Sequence, residues 1–197
     1  MNLKELAQTE CSTEKLAPLA RQIAKTLIAS LPAEEVIDIS EHVNIVGGST
    51  LPYLQREAGE ALIAAIKEAG RKPKLVHALR TLPQQYMVHY QYIHHLCNIP
   101  LAASPGTSPH ERAIAIDIQE HQSWIEVLKH HNWKWRGPDD RPHFNYRGPQ
   151  DADFGVAEIK AFQQTWNDHN PNDLLKVDGA YGPKTESKLL LAPIAGW

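Results

Sequence analysis

The chain has 197 residues, a length typical of one compact domain or of a modest domain with a small appendage. Lys and Arg number 20 and Asp and Glu number 23, and this near balance excludes a general binder of nucleic-acid backbones, which relies on clustered positive charge. No apolar run is long enough to span a membrane. Cys11 and Cys97 are too few for a disulfide scaffold, and the sequence leaves open whether they pair. The 11 histidines make metal chemistry worth examining.

Runs of apolar residues and their spacing predict a series of helices and short strands. The predicted helices cover residues 13–31, 53–69, 83–97 and 122–131, and the predicted strands cover residues 75–79, 113–118 and 144–146. Pro32 ends the first helix and Gly70 caps the second. Residues 104–109, Ser-Pro-Gly-Thr-Ser-Pro, predict a loop, because proline and glycine interrupt regular structure.

Glycine and proline also indicate how the chain divides into units. Residues 147–153, Arg-Gly-Pro-Gln-Asp-Ala-Asp, have the composition of a linker. We therefore expect an N-terminal helical extension over residues 1–50, a central domain over residues 51–148 on which the extension packs, and a helical unit over residues 154–197. Helices around strands, followed by a helical appendage, predict the α+β class.

Asp117 lies within the apolar strand predicted over residues 113–118, where an ionised carboxylate costs several kcal/mol unless it is paired or bound to a metal. His110 precedes it in the loop, and a second pair of polar residues, Asp140 and His143, follows with a spacing of three. Two histidines and an aspartate suit Zn²⁺, and catalytic zinc sites combine three protein ligands with a water. In the alternative, backbone amides bind Asp117 and both histidines are only packed.

Three local motifs resemble one enzyme family. The segment from Ser108 to Asp117 resembles the Ser-x-His-(x6)-Asp signature of the VanY-type zinc D-alanyl-D-alanine carboxypeptidases, a family that includes L-alanyl-D-glutamate endopeptidases. Residues 140–144, Asp-Arg-Pro-His-Phe, are similar to its second motif, an acidic residue three positions before a His-Phe pair. Residues 78–85, Ala-Leu-Arg-Thr-Leu-Pro-Gln-Gln, resemble its Tyr-Arg-Ser-x-x-x-Gln element. The resemblance extends over residues 51–146.

The resemblance implies that His110, Asp117 and His143 bind one Zn²⁺ ion in a small central antiparallel sheet flanked by helices. It also implies that Asp140 is the general base, which activates water and later protonates the leaving amine. Arg80 would lie at the substrate, where its guanidinium either stabilises the carbonyl oxygen or binds a substrate carboxylate. Many relatives have Glu as the base, so the shorter Asp140 must approach the water more closely.

Several neighbouring residues are left with alternative roles. Ser108 would support the first ligand or contact the substrate, or its hydroxyl only caps the loop, and Gln85 is a further candidate for substrate binding. Asp139 is a rival for the base, but its offset of four from the second histidine ligand fits the motif less well. The first motif usually has Gly where this chain has Arg112 or Ala113, which changes a tight turn in the wall of the cleft.

The C-terminal unit resembles a second kind of domain. Residues 159–166 and 178–186 are similar to small three-helix peptidoglycan-binding domains, which pair a Phe-Gln or Leu-Gln helix with an Asp-Gly-x-x-Gly-x-x-Thr turn. Gly179 and Gly182 permit positive φ in that turn, and Pro183 begins the next helix. The usual second Phe-Gln helix is missing. The resemblance implies a C-terminal three-helix unit that binds cell wall, and the alternative is a docked appendage that only stabilises the protein.

Together the two resemblances imply a zinc metallopeptidase that hydrolyses a D-amino-acid-containing bond in peptidoglycan stem peptides, as a DD-carboxypeptidase or as an L-Ala-D-Glu endopeptidase. The alternative is a non-catalytic cell-wall-binding module with a structural zinc site, which four protein ligands would close. We expect a monomer that contacts stem peptides and cell wall, in the cell envelope or outside the cell. No apolar stretch typical of a secretory signal follows residues 1–6, so the export route is open.

Overall fold

The computed structural model describes all 197 residues. Its α-helices are α1 (Leu3–Thr9), α2 (Ala17–Ser30), α3 (Arg56–Ala69), α4 (Leu82–Ile93), α5 (Ile125–His130), α6 (Phe154–His169) and α7 (Pro183–Leu189). Its strands are β1 (Val36–Asp38), β2 (Asn44–Ile45), β3 (Tyr53–Gln55), β4 (Lys74–His77), β5 (Ala115–Ile118), β6 (Trp133–Trp135) and β7 (His143–Tyr146). The fold is α+β, as the sequence predicts. None of the helices is both long and apolar enough to cross a lipid bilayer.

The main sheet has five strands in the order β2-β4-β5-β7-β6. Three of its pairs are antiparallel, as the sequence predicts, and the edge strand β2 adds one parallel pair with β4. The physical reason is the connection between β2 and β4, which includes α3: a helical crossover returns the chain in the same direction, whereas a tight turn would reverse it. The strands β1 and β3 form a separate antiparallel pair.

The main sheet has one apolar and one polar face around β5 and β7. Ile116 on β5 lies opposite Phe144 on β7, and both side chains belong to a core that includes residues of α3 and α5. Side chains alternate along a strand, so the neighbouring Asp117 and His143 point to the opposite face. One face of the sheet is therefore buried by helices, and the other presents polar groups.

Several predicted helices are shorter in the structure because other conformations replace their ends. Residues 13–16 form a 3₁₀-helix before α2, and Tyr53–Gln55 forms β3 before α3. The helix predicted over residues 83–97 ends at Ile93, because residues beyond it, including Cys97, have positive φ values that interrupt a right-handed helix. Cys97 forms a disulfide with Cys11, which ties the end of this segment to the chain after α1.

A second core joins both ends of the chain. The N-terminal helix α2 packs along the C-terminal helix α6, where Thr26 Oγ1 and Thr165 Oγ1 lie 3.0 Å apart. The Leu3 backbone N–H donates to the Ala192 carbonyl at 3.1 Å. Helix α1 packs on α4, whose buried side chains belong to the same core. The N-terminal extension therefore contacts the central domain through α4 and the C-terminal unit through α2.

The C-terminal unit has two helices, α6 and α7, and the expectation of three is wrong. After α7 the chain contains Pro193, which pairs with Asn2 in an isolated β-bridge instead of continuing into a helix. Helix α2 lies against α6 and covers part of its apolar face. The third helical partner of this unit thus comes from the opposite end of the chain.

Glu158 on α6 is a fully buried carboxyl at the junction between the C-terminal unit and α4. Its Oε1 accepts a hydrogen bond of 2.7 Å from the backbone N–H of Leu82, which is one of the N–H groups that a helix start leaves unpaired. Burial, together with the nearby charge of Glu111, holds the pKa of Glu158 well above its ordinary value. The neutral acid is therefore the form that this position stabilises.

We predict that Glu158→Gln reduces the pH dependence of stability, because glutamine keeps an oxygen acceptor for Leu82 and carries no charge. A group whose pKa is raised by folding contributes stability because the folded state binds its proton more tightly than the unfolded state does. This contribution is complete below the unfolded-state pKa of about 4.3, and it is lost as the pH rises through the folded-state pKa. Between about pH 5 and about pH 8, the free energy of unfolding should fall less in the variant than in the wild type, as measured by urea denaturation.

Two further variants complete this test. Glu158→Ala should lower the free energy of unfolding by about 1–3 kcal/mol, because the Leu82 N–H then lacks a partner. Glu57→Gln changes an exposed glutamate in the first turn of α3 and should leave the pH dependence unchanged. Identical pH dependence in the wild type and Glu158→Gln would contradict the assignment of a neutral buried acid.

Candidate metal centre and its cleft

The sheet register brings Asp117 and His143 together. Asp117 on β5 lies directly opposite His143 on β7, and both side chains project from the polar face of the sheet. The Asp117 Oδ1 atom is 3.0 Å from the His143 Nδ1 atom. On the other side of β5, His77 on β4 is also paired with Asp117. Three neighbouring strands thus place one carboxylate between two imidazoles.

His110 reaches the same point from the loop before β5. A tight turn positions it: the Ala113 N–H donates to the His110 carbonyl at 3.0 Å, and Ala113 has a φ of +51°. Glycine adopts that left-handed conformation most easily, which explains why the family motif usually has a glycine in this turn. Here Ala113 adopts it instead. Arg112 extends away from the turn and donates to Gln150 at 2.7 Å. The carbonyl of His110 also accepts the Arg80 N–H at 3.2 Å.

The side chains of His110, Asp117 and His143 form a compact buried group whose ligating atoms all lie within 4.8 Å of one another. The His110 Nε2 atom is 3.1 Å from the His143 Nδ1 atom and 3.4 Å from the Asp117 Oδ2 atom. Two imidazole nitrogens and a carboxylate therefore converge on one point, and this group could hold a metal ion.

Hydrogen bonds behind the two histidines leave the inward nitrogens free to act as ligands. The His110 Nδ1 is 2.8 Å from the Ala78 carbonyl, which can only accept, so this nitrogen carries the proton. Burial lowers the pKa of His110 to about 4, so the ring is neutral near pH 7 and its Nε2 has a free lone pair. The His143 Nε2 contacts Asn145 Oδ1 at 3.0 Å. Such outward bonds orient ligating histidines in metalloproteins.

Asp117 is held as a carboxylate in spite of its burial. Its Oδ2 atom is 3.1 Å from His77 Nδ1 and 3.5 Å from Arg80 Nη2. Burial by itself would raise the pKa of Asp117, but the surrounding histidines outweigh burial and hold that pKa well below its ordinary value. His77 does not line the cleft, so its contact supports the Asp117 carboxylate from the neighbouring strand β4.

Asp140 lies beside the group, at the end of a short 3₁₀ turn between β6 and β7. Its Oδ2 atom is 3.9 Å from His143 Nδ1, and its side chain is 28% exposed, so it borders both the ligands and the solvent. Burial and the charge of Asp117 raise the pKa of Asp140 above its ordinary value. Asp139, the rival position, is exposed and does not line the cleft.

The group forms the floor of a cleft of about 250 Å³. Its lining includes the three candidate ligands together with Asp140, Arg80, Gln85, Ser108, Arg136 and residues 99–103. Arg80 is nearly buried, and its Nη1 donates to Gln85 Oε1 at 3.0 Å, while Gln85 donates to the Ala103 carbonyl at 2.8 Å. The Ser108 hydroxyl accepts the His110 N–H at 3.2 Å. The structure therefore brings every predicted site residue to one cleft, and it uses Gln85 and Ser108 as internal supports.

The structure adds residues that the sequence analysis does not identify. Asn145 is hydrogen-bonded to the candidate ligand His143 and lies two positions after it on β7. Residues two positions apart on a strand share one face, so this spacing could have indicated Asn145. Arg136 and the wall formed by residues 99–103 have no comparable signal in the sequence, because they reach the cleft only through the path of their loops.

Comparisons with known proteins add no family assignment. No protein-family model matches the chain, and a search of curated proteins finds no significant match. The interpretation of the cleft therefore depends on its own geometry and on the motifs in the sequence.

We predict that His110→Ala and His143→Ala each abolish stoichiometric binding of a divalent metal, because two remaining side chains are too few for a stable site. The metal content after reconstitution, measured by elemental mass spectrometry, and the binding heat by calorimetry report this directly. His130→Ala is the matched control, since His130 is exposed and contacts Glu68 at 2.9 Å, away from the cleft. Full metal content in either ligand variant would contradict the proposed centre.

Proposed function

We propose that this protein is a zinc-dependent peptidase that hydrolyses a D-amino-acid-containing bond in peptidoglycan stem peptides, as a DD-carboxypeptidase or an L-Ala-D-Glu endopeptidase. The single observation that carries the proposal is the buried group of His110, Asp117 and His143 at the floor of an open cleft, with Asp140 beside it. The order of the motifs in the sequence, which resembles the VanY-type family, supports the choice of substrate.

The donor set and its spacing fit zinc. Zinc bonds of about 2.0–2.1 Å in a tetrahedral site hold neighbouring ligand atoms about 3.3 Å apart. His110 Nε2 is 3.1 Å from His143 Nδ1 and 3.4 Å from Asp117 Oδ2, and His143 Nδ1 is 3.0 Å from Asp117 Oδ1. Two histidines with one carboxylate form a common ligand set of catalytic zinc, in which three protein ligands leave a position for water. A zinc ion held there would supply a Lewis acid that lowers the pKa of water toward about 7.

In this proposal, Asp140 moves the proton. It accepts a proton from the attacking water while the new C–O bond forms at the scissile carbonyl. It then donates that proton to the amine nitrogen as the C–N bond breaks, which regenerates the carboxylate and balances the reaction. Its partial exposure beside His143 allows contact with both water and substrate. Because burial raises the pKa of Asp140, the carboxylate is a stronger base than an exposed aspartate.

In this proposal, Arg80 stabilises the negative charge on the carbonyl oxygen. Burial lowers the pKa of Arg80, but the neighbouring Asp117 opposes this effect, and an arginine remains protonated near neutral pH. The hydrogen bond to Gln85 holds the guanidinium in one orientation. A donor that is oriented before the reaction stabilises the developing charge without reorganisation.

We propose in addition that the C-terminal unit binds cell wall through its surface between α6 and α7. The turn residues themselves are occupied: Gln163 on α6 contacts Asp178, Thr185 and the Gly179 N–H, at distances of 2.9–3.1 Å. The binding surface would be the cavity of about 290 Å³ that these side chains border, and its lining also includes Leu174 and Lys184.

The catalytic proposal predicts that Asp140→Asn retains its metal and loses turnover by about 10²–10⁴-fold, because the proton acceptor is removed. The assay is mass spectrometry of muropeptides released from purified peptidoglycan, with and without a chelator, since fragment masses identify the cleaved bond. Asp139→Asn is the matched control and should retain activity, because Asp139 lies outside the cleft. Full turnover in Asp140→Asn would overturn the mechanism, and a metal-loaded wild type that releases no product would favour a non-catalytic wall-binding module.

The wall-binding proposal predicts that a double variant, Leu174→Ser with Lys184→Glu, pellets less with purified cell walls while its folding and metal content are unchanged. Both side chains are exposed, so the variant tests the surface without removing α6 from α2. A truncation after Gly148 would expose the shared core and is therefore a poorer test. Glu57→Gln serves as the control for an exposed site elsewhere. Undiminished pelleting would assign this unit a supporting role only.

A further inference from the structure

The cleft contains two arginines, and their side chains have different freedom. Arg80 is 11% exposed, and its guanidinium is occupied by Gln85 and lies 3.5 Å from Asp117. Arg136 is 40% exposed and makes no side-chain hydrogen bond. The nearest carboxylate is that of Asp140, whose Oδ2 is 3.9 Å from Arg136 Nε: the two groups form a long ion pair, and the distance is too great for a hydrogen bond. Arg136 is thus the cation in this cleft whose donors are available to a ligand.

The backbone holds Arg136 at the mouth of the cleft. Its N–H donates to the carbonyl of the candidate ligand His143 at 3.0 Å, directly after the pairing of β6 with β7. Gly137 follows with a φ of +110°, so the chain turns sharply immediately after the arginine. The side chain lines the same cavity as the metal-binding group and Asp140. The backbone of Arg136 is therefore fixed, while its guanidinium remains partly exposed in the cleft.

The charges in the cleft favour an anionic ligand. The lining of the cleft contains two carboxylates, those of Asp117 and Asp140, and two guanidinium groups, those of Arg80 and Arg136. A divalent metal ion would therefore add two positive charges that no side chain lining the cleft balances. A carboxylate matches a guanidinium particularly well, because its two oxygens accept two parallel N–H bonds.

We propose that Arg136 binds a carboxylate of the substrate and thereby makes this cleft selective for acidic peptides. The inference rests on the proposed peptidase function and deepens it by naming the anionic group that the substrate presents near the scissile bond. In a stem peptide, that group is either the C-terminal carboxylate of the last D-residue or the free carboxylate of an internal D-glutamate. Arg136 is a specificity-determining residue in this assignment, and Arg80 is left to the carbonyl oxygen.

The test uses two pairs of synthetic stem peptides with the zinc-loaded protein. In one pair the C-terminus is a carboxylate or a carboxamide, and in the other the internal D-glutamate carboxylate is free or amidated. One of the two pairs contains the carboxylate that Arg136 recognises. For the carboxylate peptide of that pair, Arg136→Gln should lower kcat/KM by about 10- to 100-fold, mainly by raising KM. The reason is that a hydrogen bond to a charged group contributes about 1.5–3 kcal/mol. The amidated partner should change less than about twofold.

Two variants separate recognition from other effects. Arg136→Lys should recover part of the loss, since it keeps the charge without the planar fork of donors. Arg141→Gln removes an exposed positive charge outside the cleft and should leave all four peptides unaffected. An equal loss on both members of every pair would show that Arg136 only positions Asp140, and unchanged kinetics would show that it has no role. Either result overturns the proposal.

A failure of the proposed peptidase function can be distinguished from a failure of carboxylate recognition by Arg136. If the zinc-loaded wild type cleaves none of the four peptides, the proposed reaction is wrong. Calorimetric binding of the same peptides to the wild type and to Arg136→Gln then decides the present inference. A preference of the wild type for one carboxylate peptide that the variant lacks would support carboxylate recognition, and equal affinities would overturn it.

Discussion

The charge of Asp117 is the constraint on which the rest of the site depends. All four residues of β5 are buried, and a carboxylate in such a strand is stable only with close partners. The adjacent strands supply His77 and His143, and the loop before β5 supplies His110. Asp117 therefore has a partner on each side and one in front. The same arrangement that stabilises the buried charge is the one that could hold a metal ion.

The loops around this group are supported by the helices at both ends of the chain. In the loop before His110, Gly106 has a φ of +82°, and a Cβ atom there would lie 3.1 Å from Ile159 on α6. Glu158, next to Ile159, accepts the first N–H of α4, and Gln85 on α4 orients Arg80. The C-terminal unit therefore packs directly behind the residues that border the cleft. Its role in the protein includes this support, whether or not its outer surface also binds cell wall.

The predictable part of the fold consists of elements with a clear local pattern. The apolar spacing in residues 13–31 and 53–69 indicates α2 and α3, and the continuous apolar run before Asp117 indicates β5, because each pattern matches the period of its structure. The strands β2 and β6, of two and three residues, are too short to show a period. The parallel direction of β2 and the packing of α2 on α6 depend on contacts between distant segments, which no local pattern records.

The sequence by itself determined the candidate ligands and the nearby acid, because His110, Asp117, Asp140 and His143 occur in short motifs that resemble those of the VanY-type family. Only the tertiary structure decided which groups support them and which remain free. Burial and two neighbours restrain Arg80 in the cleft, whereas the turn after β6 leaves Arg136 exposed. The physical reason is that the hydrogen bonding and burial of a side chain depend on where separate loops meet in space. The spacing of residues along the chain indicates which side chains meet only within one short motif.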